Sequence, residues 1–397
     1  MSARLLARCA GALAGAAALL LLPSAATAQG GPPVAPDFPR GQIIDSVTCA
    51  DDQTQSYALY LPSDYTPERP WNLLLAFHPG ARGRAFAEKY QAAAEHFGYI
   101  VAASNNSRNG SWEVTTQAVR AMSRDVGRRF TVDAQRVYLT GHSGGARVAM
   151  EVALGPNDIA GVIASSAGFP DAEARRSVKF AVFGTAGTDD FNYLEMRRLD
   201  AALTSPHYLA VFEGGHTLPP DSVAAEALEW LELQAIRSGR RAEDRRLIDA
   251  LFASRLQRIE RATDDVAKLR LLQASVTDFK GVHDVSALQA NADTLAKDAG
   301  VKKALGDDRA SLGTEARLLG EALDAESRLR DPDARAASLA RLRGMLETWS
   351  RAADATAASP ERSQARRLLG AIAAGAAQRV KDEEYRRLVE QYRRRER

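Results

Sequence analysis

The 397-residue chain holds two cysteines, Cys9 and Cys49. Cys9 falls in an N-terminal segment that reads as a removable leader, so Cys49 would remain alone. One cysteine closes no intramolecular disulfide, and the fold must stand on its hydrophobic core even in an oxidising compartment. Cys49 sits in an alternating strand pattern, where a small buried hydrophobe is expected rather than a nucleophile. Paired cysteines, an H-E-x-x-H sequence and a P-loop are all missing, so neither a metal ion nor an organic cofactor is expected. Charge of one sign is lacking as well. The net charge is +2, and loss of Arg4 and Arg8 with the leader would make the mature chain neutral. Neutrality, with no basic stripe interleaved with aromatics in the first two thirds of the chain, leaves no strong electrostatic reason to bind nucleic acid or an anionic membrane. Beyond the leader no run is apolar enough to span a bilayer. A clean tetratricopeptide period is also absent.

The leader has the organisation of a signal peptide over residues 1–28. Arg4 and Arg8 form a positive start, residues 10–22 are apolar, and Ala26-Thr27-Ala28 offers small residues for cleavage. The apolar stretch is shorter than the roughly 20 residues of a transmembrane helix. Cys9 precedes that stretch and follows Arg8, the wrong setting for lipidation. Export to the periplasm or the medium is therefore expected, with no transmembrane segment after cleavage. Residues 29–40, rich in Gly and Pro, read as a linker.

From residue 41 short apolar runs appear. Residues 43–47 and 56–61 read as two strands of an antiparallel hairpin. The continuous run Leu73-Leu74-Leu75-Ala76-Phe77 is that of a strand buried on both faces. Further strands are expected at 99–102, 136–139, 161–164, 180–183 and 208–212, and helices at 114–130, 146–154 and 221–236. Alternation of this kind predicts an α/β fold: a doubly wound, mostly parallel sheet of about eight strands over residues 41–237. After the break at Ser238-Gly239 no strand pattern follows. Leu247, Ile248, Leu251, Phe252, Leu256 and Ile259 have helical spacing, as do Leu339, Leu342, Leu346 and Trp349. Residues 243–397 are expected to form a separate all-α domain, a candidate surface for a protein partner. The preceding domain is expected to be self-sufficient without it.

Gly141-His142-Ser143-Gly144-Gly145 matches G-x-S-x-G between a predicted strand and a predicted helix. A nucleophile on that sharp turn needs small neighbours, and the turn lifts its hydroxyl clear of the sheet. Ser143 is the candidate nucleophile. His216, in Glu213-Gly214-Gly215-His216-Thr217, follows the last strand, at the sheet edge where ligands bind. It is the candidate base. The acid should follow the penultimate strand, where Asp189 and Asp190 stand side by side. Only one can orient the imidazole, and Asp190 is favoured. The oxyanion needs two N–H donors. Gly144 offers one. The loop His78-Pro79-Gly80-Ala81 should offer the other, from Gly80 or alternatively Ala81, since Pro79 has no N–H. A polar loop carrying Asn105, Asn106, Arg108 and Trp112 should face the same edge and could grip an oxygen-rich substrate, or simply turn the chain.

Together these pieces resemble the α/β-hydrolase superfamily, and within it the small esterases related to polyhydroxybutyrate depolymerases and feruloyl esterases. The resemblance covers residues 42–236. It rests on the turn at Ser143, on Gly187-Thr188-Asp189-Asp190-Phe191-Asn192-Tyr193, and on Gly214-Gly215-His216 with Pro219-Pro220 behind it. In that family the acid precedes Phe-Asn-Tyr, which again selects Asp190. Where the family commonly has His-Gly at the oxyanion turn, this chain has His78-Pro79. No long insertion separates the later strands, so no large lid is expected. The resemblance implies hydrolysis of a small or polymeric ester through an acyl-enzyme. The same three groups would also serve a peptidase or amidase. A different class, a binding or scaffold protein on a hydrolase-like fold with a helical interaction tail, is disfavoured by the intact Ser, Asp and His.

Overall fold

A computed structural model describes residues 38–171 and 177–393. The expected signal peptide and residues 29–37 of the expected linker lie outside the described residues. The chain divides into two compact units. One comprises residues up to Thr185, Met196–Phe212 and Leu218–Ala253; the other comprises Ala186–Glu195, Glu213–Thr217 and Ser254–Arg397. The second unit therefore draws two short segments from within the span expected to be the hydrolase domain.

The sheet has eight strands in the order β1-β2-β4-β3-β5-β6-β7-β8. They are β1 Ile43–Thr48, β2 Ser56–Tyr60, β3 Trp71–Phe77, β4 Tyr99–Ser104, β5 Val132–His142, β6 Gly161–Ser165, β7 Ala181–Gly187 and β8 His207–Phe212. The expected hairpin is present: β1 and β2 are antiparallel, and β2 runs antiparallel to β4. From β4 through β3, β5, β6 and β7 every pairing is parallel. Parallel neighbours need crossovers on the sheet faces, which bury both sides of the strands. Leu73, Leu74, Leu75, Ala76 and Phe77 are accordingly all fully buried.

The helices flanking the sheet are α1 Gly83–Phe97, α2 Trp112–Arg129, α3 Gly144–Leu154, α4 Tyr193–Ala202 and α5 Asp221–Arg237. Helices α1 and α5 pack against each other. Phe86 and Tyr90 of α1 join Trp230 and Leu231 of α5 and Tyr60, Leu74 and Val101 of the sheet in one core. Within it Glu232 is completely buried, paired with Arg136 and Arg241 and accepting a hydrogen bond from Tyr99 Oη at 2.5 Å. A charge buried this deeply persists because it is paired on both sides. The arrangement ties α5 to β4 and β5. Cys49 is buried, as expected, and burial pushes its thiol up to about 12.

The C-terminal helices are α6 Arg245–Glu260, α7 Asp265–Phe279, α8 Ser286–Lys297, α9 Ala299–Ser327, α10 Pro332–Ala353, α11 Pro360–Arg379 and α12 Glu383–Arg393. Their ends are written in the sequence. The Asp264, Asp298, Asp331 and Ser359 side chains each accept a backbone N–H from the first turn, and Pro332 and Pro360 occupy first helical positions. Leu339, Leu342, Leu346 and Trp349, picked out by their spacing, are all buried, in a core with Leu368, Leu369, Ile372 and Tyr385.

Candidate active site

Ser143 joins β5 to α3 with φ +54° and ψ −120°, a strained conformation for a residue with a side chain. Its N–H donates to the Ser165 carbonyl at 2.8 Å, which locks the turn onto β6. The flanking glycines follow from packing. A Cβ on Gly145 would collide with the Phe77 carbonyl of β3, and one on Gly141 with the Gly145 carbonyl. The helix can thus lie directly on the strands only because both positions lack side chains. The first N–H groups of α3, Gly144 among them, have no partner within the helix and form a positive pole behind the serine hydroxyl.

The loop after β3 differs from the expectation. The Gly80 N–H donates to His78 Nδ1 at 2.9 Å, so the expected second oxyanion donor is engaged within its own turn. The Ala81 N–H is shared between the His78 and Ser107 carbonyls, both at 3.1 Å. Ala81 itself has φ +55°, a consequence of the tight turn after Pro79. Burial and the neighbouring Arg82 lower His78 to about 4, so its ring stays neutral. A residue outside the expected set lies against Gly144. The Asn109 carboxamide packs against its α-carbon, leaving no room for a Cβ there. The Asn109 N–H donates to the Pro79 carbonyl at 2.9 Å, which fixes the loop. Its polar, turn-forming neighbourhood hid it in the sequence.

Two of the four expected substrate-loop residues are spent on structure. Asn105 Nδ2 donates to the Asp45 carbonyl at 3.0 Å. Asn106 Oδ1 accepts the Ser56 N–H at 2.8 Å, while its Nδ2 donates to the Thr54 carbonyl at 3.1 Å. They anchor the loop to the β1–β2 hairpin instead of presenting amides to a ligand. Arg108 is exposed, and Trp112 opens α2 half-buried.

In the second unit, the segments around Asp190 and His216 are knitted together. The Asp189 N–H donates to the Gly214 carbonyl at 2.8 Å and the Asp190 N–H to the Gly187 carbonyl at 3.1 Å. A Cβ on Gly187 would strike the carbonyls of Gly214 and Gly215, so the two segments touch backbone to backbone. Asp190 is completely buried, and its Oδ1 lies 2.8 Å from His216 Nδ1. The same oxygen accepts the Asn192 N–H at 2.8 Å. Phe191 stacks on the His216 ring, with centroids 3.9 Å apart and planes 27° from parallel. Asp189 points elsewhere, to Arg366 of α11 at 2.8 Å. The adjacent aspartates thus have separate partners, and Asp190 is the one on the imidazole. His207 stands apart at the start of β8, its Nδ1 on the Ser205 carbonyl at 2.7 Å. Among the described residues, no group of three or more His, Cys, Asp and Glu side chains is placed to hold a metal ion, and no helix is long and apolar enough to cross a membrane.

No protein-family model matches the chain, and no curated protein matches it. Solved structures with similar architecture include a feruloyl esterase module from Clostridium thermocellum. It is 14% identical, with 44% of this chain and 82% of that one covered and a TM-score of 0.37. An arylesterase is 12% identical over 51% of this chain and 86% of its own, with a TM-score of 0.38. An esterase from Thermogutta terrifontis is 16% identical over 53% of this chain and 98% of its own, with a TM-score of 0.36. In this chain an eight-stranded, mostly parallel sheet with flanking helices turns sharply at Ser143 from β5 into α3.

Proposed function

We propose that this chain is an exported serine hydrolase that cleaves an ester bond through an acyl-enzyme, with Ser143, His216 and Asp190 as its triad. The observation that carries the reading is the backbone of Ser143, held at φ +54° at the head of α3. A strained conformation on a serine persists only where the surroundings impose it, and such strain clusters at reactive positions. The His216–Asp190 pair supports the reading independently. With Nδ1–H donated to a buried carboxylate, the basic lone pair of His216 is on Nε2.

In this reading Ser143 Oγ attacks the ester carbonyl carbon as its proton passes to His216 Nε2. The oxyanion is met by the Gly144 N–H. The second donor is Asn109 Nδ2, 3.4 Å from where a Gly144 Cβ would stand, since the Gly80 N–H is already engaged and the nearer Asn109 Oδ1 can only accept. The carbon–oxygen bond to the alcohol breaks, and that proton goes to the departing alcohol. Water then adds to the acyl-serine, giving a proton to His216, and the acid leaves as Ser143 recovers it. Asp190 stabilises the imidazolium throughout.

A fluorophosphonate probe and a soluble activated ester provide the test. The chain should be labelled at Ser143 and turn over the ester. Ser143→Ala should lose labelling and nearly all turnover, and Asn109→Ala should lower kcat by roughly a hundredfold, the usual cost of a lost oxyanion donor. Retention of a tenth of wild-type turnover by Ser143→Ala would remove the serine from the mechanism.

A further inference from the structure

The C-terminal helices were expected to fold apart from the catalytic chemistry, as a module to which a partner might bind. Their contacts in the second unit give α11 a different role. Arg366 donates through Nη1 to Asp189 at 2.8 Å and through Nε to the last carbonyl of α10, Ala353, at 3.3 Å. Arg367 donates through Nη1 to the Thr188 carbonyl at 2.6 Å, and its guanidinium lies 4.6 Å from the centre of the Tyr193 ring. The rest of the Arg367 fork is taken by Glu315 of α9, with Nε at 3.0 Å from Oε1 and Nη2 at 2.6 Å from Oε2. Both members of that pair are buried. One turn further along α11, Gly370 faces Phe191 so closely that a Cβ would lie 3.1 Å from it.

These contacts fall on residues 188, 189, 191 and 193, on either side of Asp190. Phe191 is also the residue stacked on His216. The segment bearing the carboxylate is therefore held at its backbone by Arg367, at the preceding side chain by Arg366 and at the following side chain by the bare helix face at Gly370. A short loop has no rigidity of its own. Here it borrows that of a 20-residue helix packed against three others, α9, α10 and α12.

We infer that α11 positions the His216–Asp190 pair: Arg366, Arg367 and Gly370 set the geometry of the acid loop, and the helical region is part of the hydrolytic machinery. They are positioning residues, since none of them touches the imidazole. The contribution to turnover rests on the function proposed above, whereas the contribution to the pair itself does not. Arg366 also removes Asp189 from competition for His216.

The test uses the full chain. In Glu315→Leu/Arg367→Met the buried charges leave together, so no orphan ion is left and the bundle can stay folded. Gly370→Leu puts a good helix former into α11 and drives Phe191 toward His216. Nitrogen-15 NMR reads the low-field proton on His216 Nδ1, the signature of its bond to Asp190. Steady-state kinetics on the activated ester read kcat and KM separately. In both variants the expected result is a proton resonance broadened or lost. With it kcat should fall by about tenfold to a hundredfold while KM stays within about threefold, the cost of a misplacement on the ångström scale. Arg367→Lys, which keeps the charge but not the fork, should fall in between. If the double variant does not fold by circular dichroism, Gly370→Leu decides alone. A folded variant with a wild-type resonance and wild-type kcat would overturn the inference. A wild-type chain that shows the resonance, but neither turnover nor probe labelling, would instead overturn the proposed function and leave the brace to be judged by the resonance.

Discussion

His78 is a buried imidazole whose Nδ1 lies on the Gly80 N–H and whose Nε2 lies 3.0 Å from Arg82. Its folded-state value of about 4 lies below the ordinary 6.5, so between those pH values the unfolded chain binds the extra proton. Stability must fall as pH drops through that window, and this contribution levels off below it. From pH 6.5 to 5 the loss due to His78 should be about 1.5 kcal/mol. Urea unfolding of wild type and His78→Gln at both pH values isolates it: the variant should lose less stability by that amount, and parallel losses would mean His78 is not held neutral. This residue also marks a limit of the sequence. His78-Pro79-Gly80 suggested an oxyanion turn, but nothing in the letters said that the histidine ring would take the Gly80 N–H for itself. Asp189 and Asp190 were only half legible for a related reason. Adjacent side chains in a loop diverge, but the partner that draws Asp189 away, Arg366, lies 177 positions further along the chain.

Most strands and helices were readable because their signals are local. Strand β3 was a run of apolar residues, α3 followed from the glycine-flanked serine, and α10 from Leu339, Leu342, Leu346 and Trp349. Helices α1 and α4 were not foreseen. Helix α1 begins at Gly83 without a capping side-chain bond or an acidic first turn, and alanines dilute its apolar stripe. The glycines of different elements should behave in opposite ways. Gly145→Ala places a methyl group against the β3 backbone, which cannot yield, so the variant should be insoluble or melt many degrees lower. Gly320→Ala in α9 meets nothing within 4 Å and should stabilise by about 0.5–1 kcal/mol. Thermal melting of the two variants checks both directions, and similar shifts would show that α3 does not depend on its close approach to β3.

At the scale of the molecule, the inferred role of α11 predicts the opposite of the self-sufficient hydrolase expected from the first 239 residues. A chain ending after Gly239 keeps Ser143, His216, Asp190 and all eight strands. It should retain the far-ultraviolet signal of the sheet and lose most of its ester turnover, whereas full activity in that fragment would make α11 dispensable. The contact between Thr188 and Arg367 spans 179 positions, and closing so long a loop is slow relative to pairing neighbouring strands. On a ribosome or an export channel moving N-terminus first, all three triad residues emerge well before α11. Under the proposed function, the enzyme would then be latent by order of synthesis: folded across its sheet and still inert until α11 arrives. Ester cleavage during biogenesis would be timed by the last part of the chain to emerge.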